Sequence, residues 1–203
     1  MKILFQIILI YIITINYTLN SQANQIEGHK IVILVNDEMI TSYEIIQRMK
    51  MNAIIEGIEI TEDNQLLLQK RTEEELIREK LKYQKSYEYD IKVNQEEYIN
   101  YETDFLEKRN IDKKLLNSVF LENKINYLEF KNYLITDYAW LKLLGKLYYR
   151  LSSASEIEIE EIIKRNPNIS FEQAKDFAIQ RQIELKGNKL LRDMMNEATI
   201  EYK

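Results

Sequence analysis

The chain has 203 residues, and its 28 lysine and arginine residues face 33 aspartate and glutamate residues, which gives a net charge of −5. An acidic balance without a basic cluster argues against nucleic-acid binding. Cysteine is absent, so no disulfide bond stabilises the fold and its stability has to come from an apolar core. Four glycines and one proline leave few breakers for turns, which favours long helices over a sandwich or a barrel.

The beginning of the sequence has the pattern of a secretory signal. An apolar run from Ile3 to Ile15 follows Lys2, and Ser21-Gln22-Ala23 offers small residues at the usual cleavage spacing. We therefore predict a signal peptide over residues 1–23. The alternative is an uncleaved membrane anchor, although the apolar run is shorter than the roughly 20 residues that a spanning helix needs.

Residues 30–50 predict a β-hairpin that leads into a helix. The apolar run Ile31 to Val35 precedes Asn36-Asp37, which is typical of a tight turn. Thr41, with Glu44 three residues later, forms a capping box and indicates the start of a helix. A two-stranded hairpin is only marginally stable alone, so we expect another part of the chain to complete it.

The other helices are located by their start signals. Four further caps have an acid or an amide three residues later: Asn94 with Glu97, Asn126 with Glu129, Ser155 with Glu158 and Ser170 with Gln173. Thr61 is predicted to open one more helix. The predicted helices are approximately 41–56, 62–88, 94–109, 112–122, 126–151, 155–165 and 170–198. The fold class is therefore mainly α, with a small piece of sheet.

The predicted helix 126–151 is apolar on two faces. The main stripe, with spacings of three and four, comprises Tyr127, Phe130, Leu134, Tyr138, Leu141, Leu144, Tyr148 and Leu151. A second row, Tyr133, Trp140 and Leu147, has a spacing of seven. Such a helix is either buried on both faces or offers one face to a partner. The second row is therefore a candidate binding surface.

Residues that could carry chemistry also have simpler interpretations. His29 is the only histidine, so a catalytic triad or a histidine-based metal site would lack partners, and we interpret it as a solvated linker residue. The acidic cluster Glu156, Glu158, Glu160 and Glu161 could hold a hard cation, but acids in a first helical turn complement the helix dipole. Asn168-Ile169-Ser170 matches a glycosylation acceptor, while a capping role for Ser170 is simpler. We predict no enzyme activity, no cofactor and no metal.

Four separated segments together resemble the SurA-type periplasmic chaperones. KIVILVNDEMITSYEIIQRM is similar to the opening strand, turn and helix of that family, and EEELIREKLKYQKSYEYDIKVNQEEYINY to its next unit. LEFKNYLITDYAWLKLLGKLYYRLSSASEIEIEEII resembles its long helix and the following cap. ISFEQAKDFAIQRQIELKGNKLLRDMMNEATIEYK resembles its closing helix and strand. The order and spacing of the segments carry the resemblance.

The resemblance implies both an architecture and a departure from it. It implies a helical chaperone domain over 24–166, with 168–203 packing back on it as a closing helix and strand. The strand Ala198 to Tyr202 would complete the hairpin, and Gly187 would kink the closing helix or end its first half. The parvulin-type prolyl isomerase domain of the family has no room here, because Lys164 to Asn168 connects the two parts directly.

The function that the resemblance implies is a periplasmic holding chaperone for unfolded outer-membrane or secreted polypeptides, without isomerase activity. We expect an open groove between the helical lobe and the closing helix, lined by Tyr133, Trp140, Leu147, Met194 and Met195. Trp140, the only tryptophan, should then report client binding by its fluorescence. The alternatives are a non-enzymatic envelope scaffold or homodimer that has lost client handling, and a membrane-tethered form if the signal is not cleaved.

Overall fold

The structure, a computed structural model, describes residues 29–203. The predicted signal peptide over 1–23 and the first residues of the predicted 24–166 domain lie outside the described residues. The elements in chain order are β1 (Ile31–Val35), β2 (Glu38–Thr41), α1 (Ser42–Glu56), α2 (Gln65–Glu88), α3 (Gln95–Glu107), α4 (Lys113–Glu122), α5 (Tyr127–Tyr148), a 3-10 turn (Tyr149–Leu151), α6 (Glu156–Arg165), α7 (Phe171–Glu197) and β3 (Ile200–Tyr202). The predicted mainly α fold with a small antiparallel sheet is confirmed.

The small sheet joins the two ends of the described chain. Its strand order is β2-β1-β3, and both pairings are antiparallel. Val35 lies opposite Glu38 on one side and Ile200 on the other. Asn36 adopts a left-handed conformation with φ of 54°, which suits asparagine in a tight hairpin turn. Its backbone N–H donates to the Thr199 carbonyl at 2.8 Å, and its side-chain Oδ1 accepts from the Thr199 N–H at 2.9 Å.

One face of this sheet is buried against helices. Ile33, Val35 and Ile40 are completely buried and pack with α1 and α2 through Ile45, Leu76, Ile77 and Leu81. The last turns of α7 add Leu191, Met194 and Met195 to the same cluster, and Ala198 joins them directly after the helix. The closing helix therefore returns to the hairpin and delivers β3 to the open edge of β1.

The helical lobe has its own core around the first half of α5. Phe130 and Leu134 are completely buried at its centre. They pack with side chains from α1, α3, α4 and the preceding loop: Met51, Tyr98, Phe105, Leu106, Leu116, Phe120 and Ile125. A separate cluster holds α6 against the beginning of α7 through Ile159, Ile162, Ala174 and Ala178.

Most of the predicted helix caps are formed. Thr41 with Glu44, Asn94 with Glu97, Ser155 with Glu158 and Ser170 with Gln173 all make complete capping boxes. The prediction that Thr61 opens α2 is wrong. Residues 62–64 form a turn in which the Asn64 side chain accepts from the Thr61 N–H at 2.8 Å, and the helix starts at Gln65.

The predicted capping box between Asn126 and Glu129 is also wrong in part. Asn126 caps α5 by accepting from the Leu128 N–H at 3.0 Å. Its own backbone N–H, however, donates to Gln47 Oε1 at 2.8 Å. Because Gln47 on α1 takes this donor, the Glu129 carboxylate is not drawn back to the cap.

Gly187 does not end α7, since the helix is continuous from Phe171 to Glu197. Gly187 is instead a point of close helix packing. A Cβ atom at this position would overlap the end of the buried Leu144 side chain on α5, so Leu144 would have to shift if Gly187 were replaced. Within residues 29–203, no helix is long and apolar enough to cross a membrane.

Candidate functional site

The five side chains predicted to bind clients do not share one surface. Trp140 and Leu147 pack between α5 and α7, and Met194 joins the same cluster. Met194 and Met195 also pack against the sheet. Tyr133 lies elsewhere, against the core of the helical lobe. The structure therefore brings Trp140, Leu147 and Met194 together and separates Tyr133 from them.

The predicted open groove between the helical lobe and the closing helix is filled by the protein's own side chains. Trp140 is only 5% exposed and forms a buried cluster with Leu143, Leu144 and Ile183. Leu141 and Leu151, predicted for the core stripe, are 48% and 70% exposed instead. Leu144 of the same stripe is nevertheless buried together with Trp140 against α7, so the second row is buried at Trp140.

Tyr133 lines a cleft that is open to solvent, here named the Tyr133 cleft. The cleft has a volume of about 310 Å³. The side chains that line it are Arg48, Asn52, Ile55, Glu56, Arg71, Glu75, Arg78, Glu79, Lys82, Phe105, Arg109, Tyr133, Thr136, Asp137 and Leu191. Phe105 and Tyr133 meet edge to face, with ring centroids 6.2 Å apart. Nine of these fifteen side chains are charged, so the cleft is mainly polar, with aromatic side chains at Phe105 and Tyr133.

The charges around the Tyr133 cleft are largely paired. The Arg48 guanidinium, with only 6% of its side chain exposed, binds both oxygens of Glu79, and its carbon lies 4.7 Å from the centroid of the Tyr133 ring. Lys82 donates to Asp137 Oδ1 at 2.9 Å. Burial, and next the nearby Asp137 carboxylate, raise the pKa of Tyr133 to about 12, so its hydroxyl stays protonated and available as a donor.

A second concave surface lies between α2 and α5, and we name it the Glu129 groove. Its volume is about 410 Å³. Apolar and aromatic lining comes from Tyr83, Tyr87, Ile91, Val93, Ile135 and Ala139, and polar lining from Glu38, Glu44, Glu79, Lys80, Ser86, Glu129, Asn132 and Thr136. Sequence reasoning missed this surface, because Glu129 was assigned to a helix cap.

Arg48 and Glu102 are buried charged residues that sequence reasoning also missed. Glu102 is 1% exposed and accepts from the hydroxyls of Tyr98 and Tyr127 and from the Lys113 ammonium group. All charged residues of α3 are acidic, and their spacing gives no local signal for this burial. Since all its partners come from the lobe itself, the Glu102 cluster is a structural element of that lobe. Among residues 29–203 no group of three histidine or acidic side chains is placed to hold a metal ion.

Comparisons with known proteins give one kind of match. No protein-family model and no curated protein matches the chain. Among solved structures, a similar chain comes from a study of Campylobacter jejuni that describes the virulence factor PEB4 and the periplasmic protein Cj1289 as two structurally related SurA-like chaperones. The two chains are 20% identical, and the TM-score is 0.36. The match covers 68% of this chain and 50% of that chain, so this chain matches about half the length of its neighbour.

Proposed function

We propose that this chain is a holding chaperone of the cell envelope, which binds unfolded polypeptides and keeps them from aggregating. Its clients would include outer-membrane β-barrel proteins in the periplasm, and its action would involve no prolyl isomerisation. The observation that supports this function best is the Tyr133 cleft, an open site that pairs aromatic surface with buried charge. The return of β3 to the hairpin supports it as well, since the resemblance in sequence implies the same closure.

The cleft suits weak and varied peptide binding. Tyr133 offers rigid aromatic surface at low entropic cost, while Ile55 and Leu191 add aliphatic contacts. Peptides held this way should dissociate readily, with dissociation constants of roughly micromolar order. Trp140 is covered by α7, so it offers no surface to a client or to a second copy of the chain.

The test combines an aggregation assay with site-specific crosslinking. The chain without residues 1–23 is mixed with a urea-unfolded outer-membrane β-barrel protein, and light scattering is followed after dilution. We expect suppression of scattering near equimolar ratio. Benzoylphenylalanine, which preserves an aromatic ring, is placed at Tyr133 and, as a control, at Tyr149, which is 60% exposed and outside the cleft.

Crosslinks to the client should form from position 133 and not from position 149. Unchanged scattering at all ratios would remove the chaperone function. Suppression with equal crosslinking from both positions would keep the function and show that the Tyr133 cleft is not where clients bind.

A further inference from the structure

We propose that the Glu129 groove binds segments of unfolded polypeptide in which a lysine or an arginine lies beside apolar side chains. This inference rests on the proposed holding function, and it names the chemistry of the clients that the chain would prefer. Charge, an unused carboxylate, aromatic surface and a buried hydroxyl all support it.

The groove contains more carboxylates than its ion pairs use. Four glutamates and one lysine line it. Lys80 is paired with Glu44 at 2.9 Å, and Glu79 is held by Arg48, whose Nη2 lies 2.9 Å from Glu79 Oε1. Glu38 and Glu129 make no ion pair with any basic side chain of the described residues. A cation that enters the groove therefore meets two carboxylates without a partner.

The Glu129 carboxylate is available to a ligand, because Gln47 accepts the backbone hydrogen bond that Glu129 was expected to accept. A glutamate at the third position of a helix normally accepts from the backbone N–H of the cap residue. Gln47 takes that donor from Asn126, so Glu129 is free to face the groove at the beginning of α5. Burial, and next the nearby Glu44 carboxylate, raise the pKa of Glu129 above its ordinary value. Its charged form is thus poorly stabilised when the groove is empty.

The aromatic rim of the groove suits the same ligand. Tyr83 and Tyr87 are 46% and 77% exposed, and their rings stack with centroids 6.3 Å apart. Such rings attract lysine and arginine through cation–π contacts. The inner wall is apolar, formed by Ile91, Val93, Ile135 and Ala139. A basic side chain and an adjacent apolar side chain would therefore find matching surfaces within one groove of about 410 Å³.

Ser86 adds a polar contact on the floor of the groove. It is only 3% exposed, it lines the groove, and its hydroxyl has no hydrogen-bond partner among residues 29–203. A buried hydroxyl without a partner is costly, and an extended peptide could satisfy it with a backbone carbonyl or N–H after a small movement of the wall. This contact is independent of client sequence, which suits a site that takes many polypeptides.

The test uses a fluorescein-labelled peptide of alternating leucine, lysine and glycine, and a matched peptide in which every lysine is replaced by glutamate. Fluorescence anisotropy gives the affinity of the chain without residues 1–23. We expect the cationic peptide to bind and the anionic one to bind at least roughly tenfold more weakly, since a charged hydrogen bond is lost and a repulsion gained. Added salt should weaken the cationic complex.

Two pairs of variants locate the site. Glu129→Gln should weaken binding of the cationic peptide roughly tenfold, while Glu160→Gln, the same charge change at an exposed position of α6, should leave it unchanged. Tyr87→Ala should weaken it roughly threefold, whereas Tyr149→Ala, at another exposed tyrosine, should not. All four positions are solvent-accessible, so folding should be preserved, which circular dichroism checks.

A measurement of thermal stability separates a binding role from a structural one. Because the pKa of Glu129 is raised in the folded chain, its carboxylate favours unfolding at neutral pH. Glu129→Gln should therefore raise the melting temperature at pH 7 while it weakens peptide binding. A lower melting temperature would show that Glu129 stabilises the fold, and the proposal would fail.

Equal affinity for the two peptides, or equal effects of Glu129→Gln and Glu160→Gln, would also overturn the assignment. So would light scattering that shows a dimer disrupted by Tyr87→Ala, because a second copy would then occupy the groove. If the chain still prevents aggregation of the β-barrel client in any of these cases, the holding function stands and only the groove assignment falls.

Discussion

Glu102 is a charged residue that the helical lobe has enclosed completely. Its side chain is 1% exposed, and it accepts from Tyr98, Tyr127 and Lys113. Burial opposes the charged form, but the hydrogen bonds from Lys113 and the two tyrosines outweigh it and lower the pKa of Glu102. Burial and the hydrogen bond to Glu102 raise the pKa of Tyr127, so it remains a donor at all ordinary pH values.

Replacement of Glu102 should show how much this enclosed charge stabilises the lobe. Glu102→Gln should lower the free energy of unfolding at pH 7 by about 1–3 kcal/mol, because charged hydrogen bonds are replaced by neutral ones and one donor faces Lys113. Urea denaturation measures the change. The control is Glu107→Gln, an exposed position on the same helix, which should change the stability little.

The acid dependence of stability follows from the same pKa shift. Because the pKa of Glu102 is lower in the folded chain than in the unfolded one, its stabilising contribution is present above the unfolded value of about 4.3. That contribution is lost as the pH falls through the lowered pKa. The wild-type chain should thus lose more stability than Glu102→Gln on acidification below about pH 4. Parallel curves for the two proteins would contradict this role.

At the scale of elements, the contact between α5 and α7 depends on the absence of one side chain. Gly187→Ala should lower the free energy of unfolding by about 1–3 kcal/mol, because the new methyl group overlaps Leu144 and pushes the helices apart. Gly145→Ala on α5 is the matched control, since a Cβ atom there meets nothing within 4 Å. It should be neutral or stabilise by up to ~1 kcal/mol through helix propensity.

Urea denaturation of the two variants tests this contact. Trp140 is buried at the same interface, so its fluorescence reports the unfolding transition directly. Gly187→Ala should lower the free energy of unfolding, whereas Gly145→Ala should raise it or leave it unchanged. If Gly187→Ala had the same free energy of unfolding as the wild type, the contact between α5 and α7 would not depend on the missing side chain.

The positions of the elements were predictable from sequence, whereas their contacts were only partly so. Caps such as Thr41 with Glu44 are local, so a few residues decide them. The burial of Trp140 depends on which side of α5 receives α7, and both sides are apolar. The predicted hydrogen bond from the Asn126 backbone N–H to Glu129 does not form, because Gln47 accepts it instead. Gln47 lies on another helix and is 79 positions from Asn126 in sequence. Contacts of this kind leave no local pattern.

At the scale of the whole molecule, β3 holds the ends of the described chain together. Deletion of residues 199–203 should lower the free energy of unfolding by roughly 2–4 kcal/mol, because several backbone hydrogen bonds of β1 and the Thr199 bonds to Asn36 are lost. Hydrogen exchange measures the effect locally. Amides of β1 should exchange faster in the truncated chain than in the wild type.

Glu201→Ala serves as the control for this deletion, since Glu201 is exposed and the change keeps the backbone of β3. Protection of β1 should be nearly unchanged in that variant. Equal protection in the truncated chain and the wild type would mean that the hairpin is stable without its third strand. The Tyr133 cleft also depends on the closing helix, since it includes Leu191 from the last part of α7.

The bond between Asn36 and Thr199 joins residues 163 positions apart. When the chain is synthesised in order, β1 and β2 emerge early, and the partner for the outer edge of β1 arrives only after all seven described helices. Until then an apolar strand carries an unpaired edge, which is the feature that makes nascent sheets aggregate. During its own synthesis the chain therefore exposes an unpaired apolar strand, as do the unfolded polypeptides that we propose it protects.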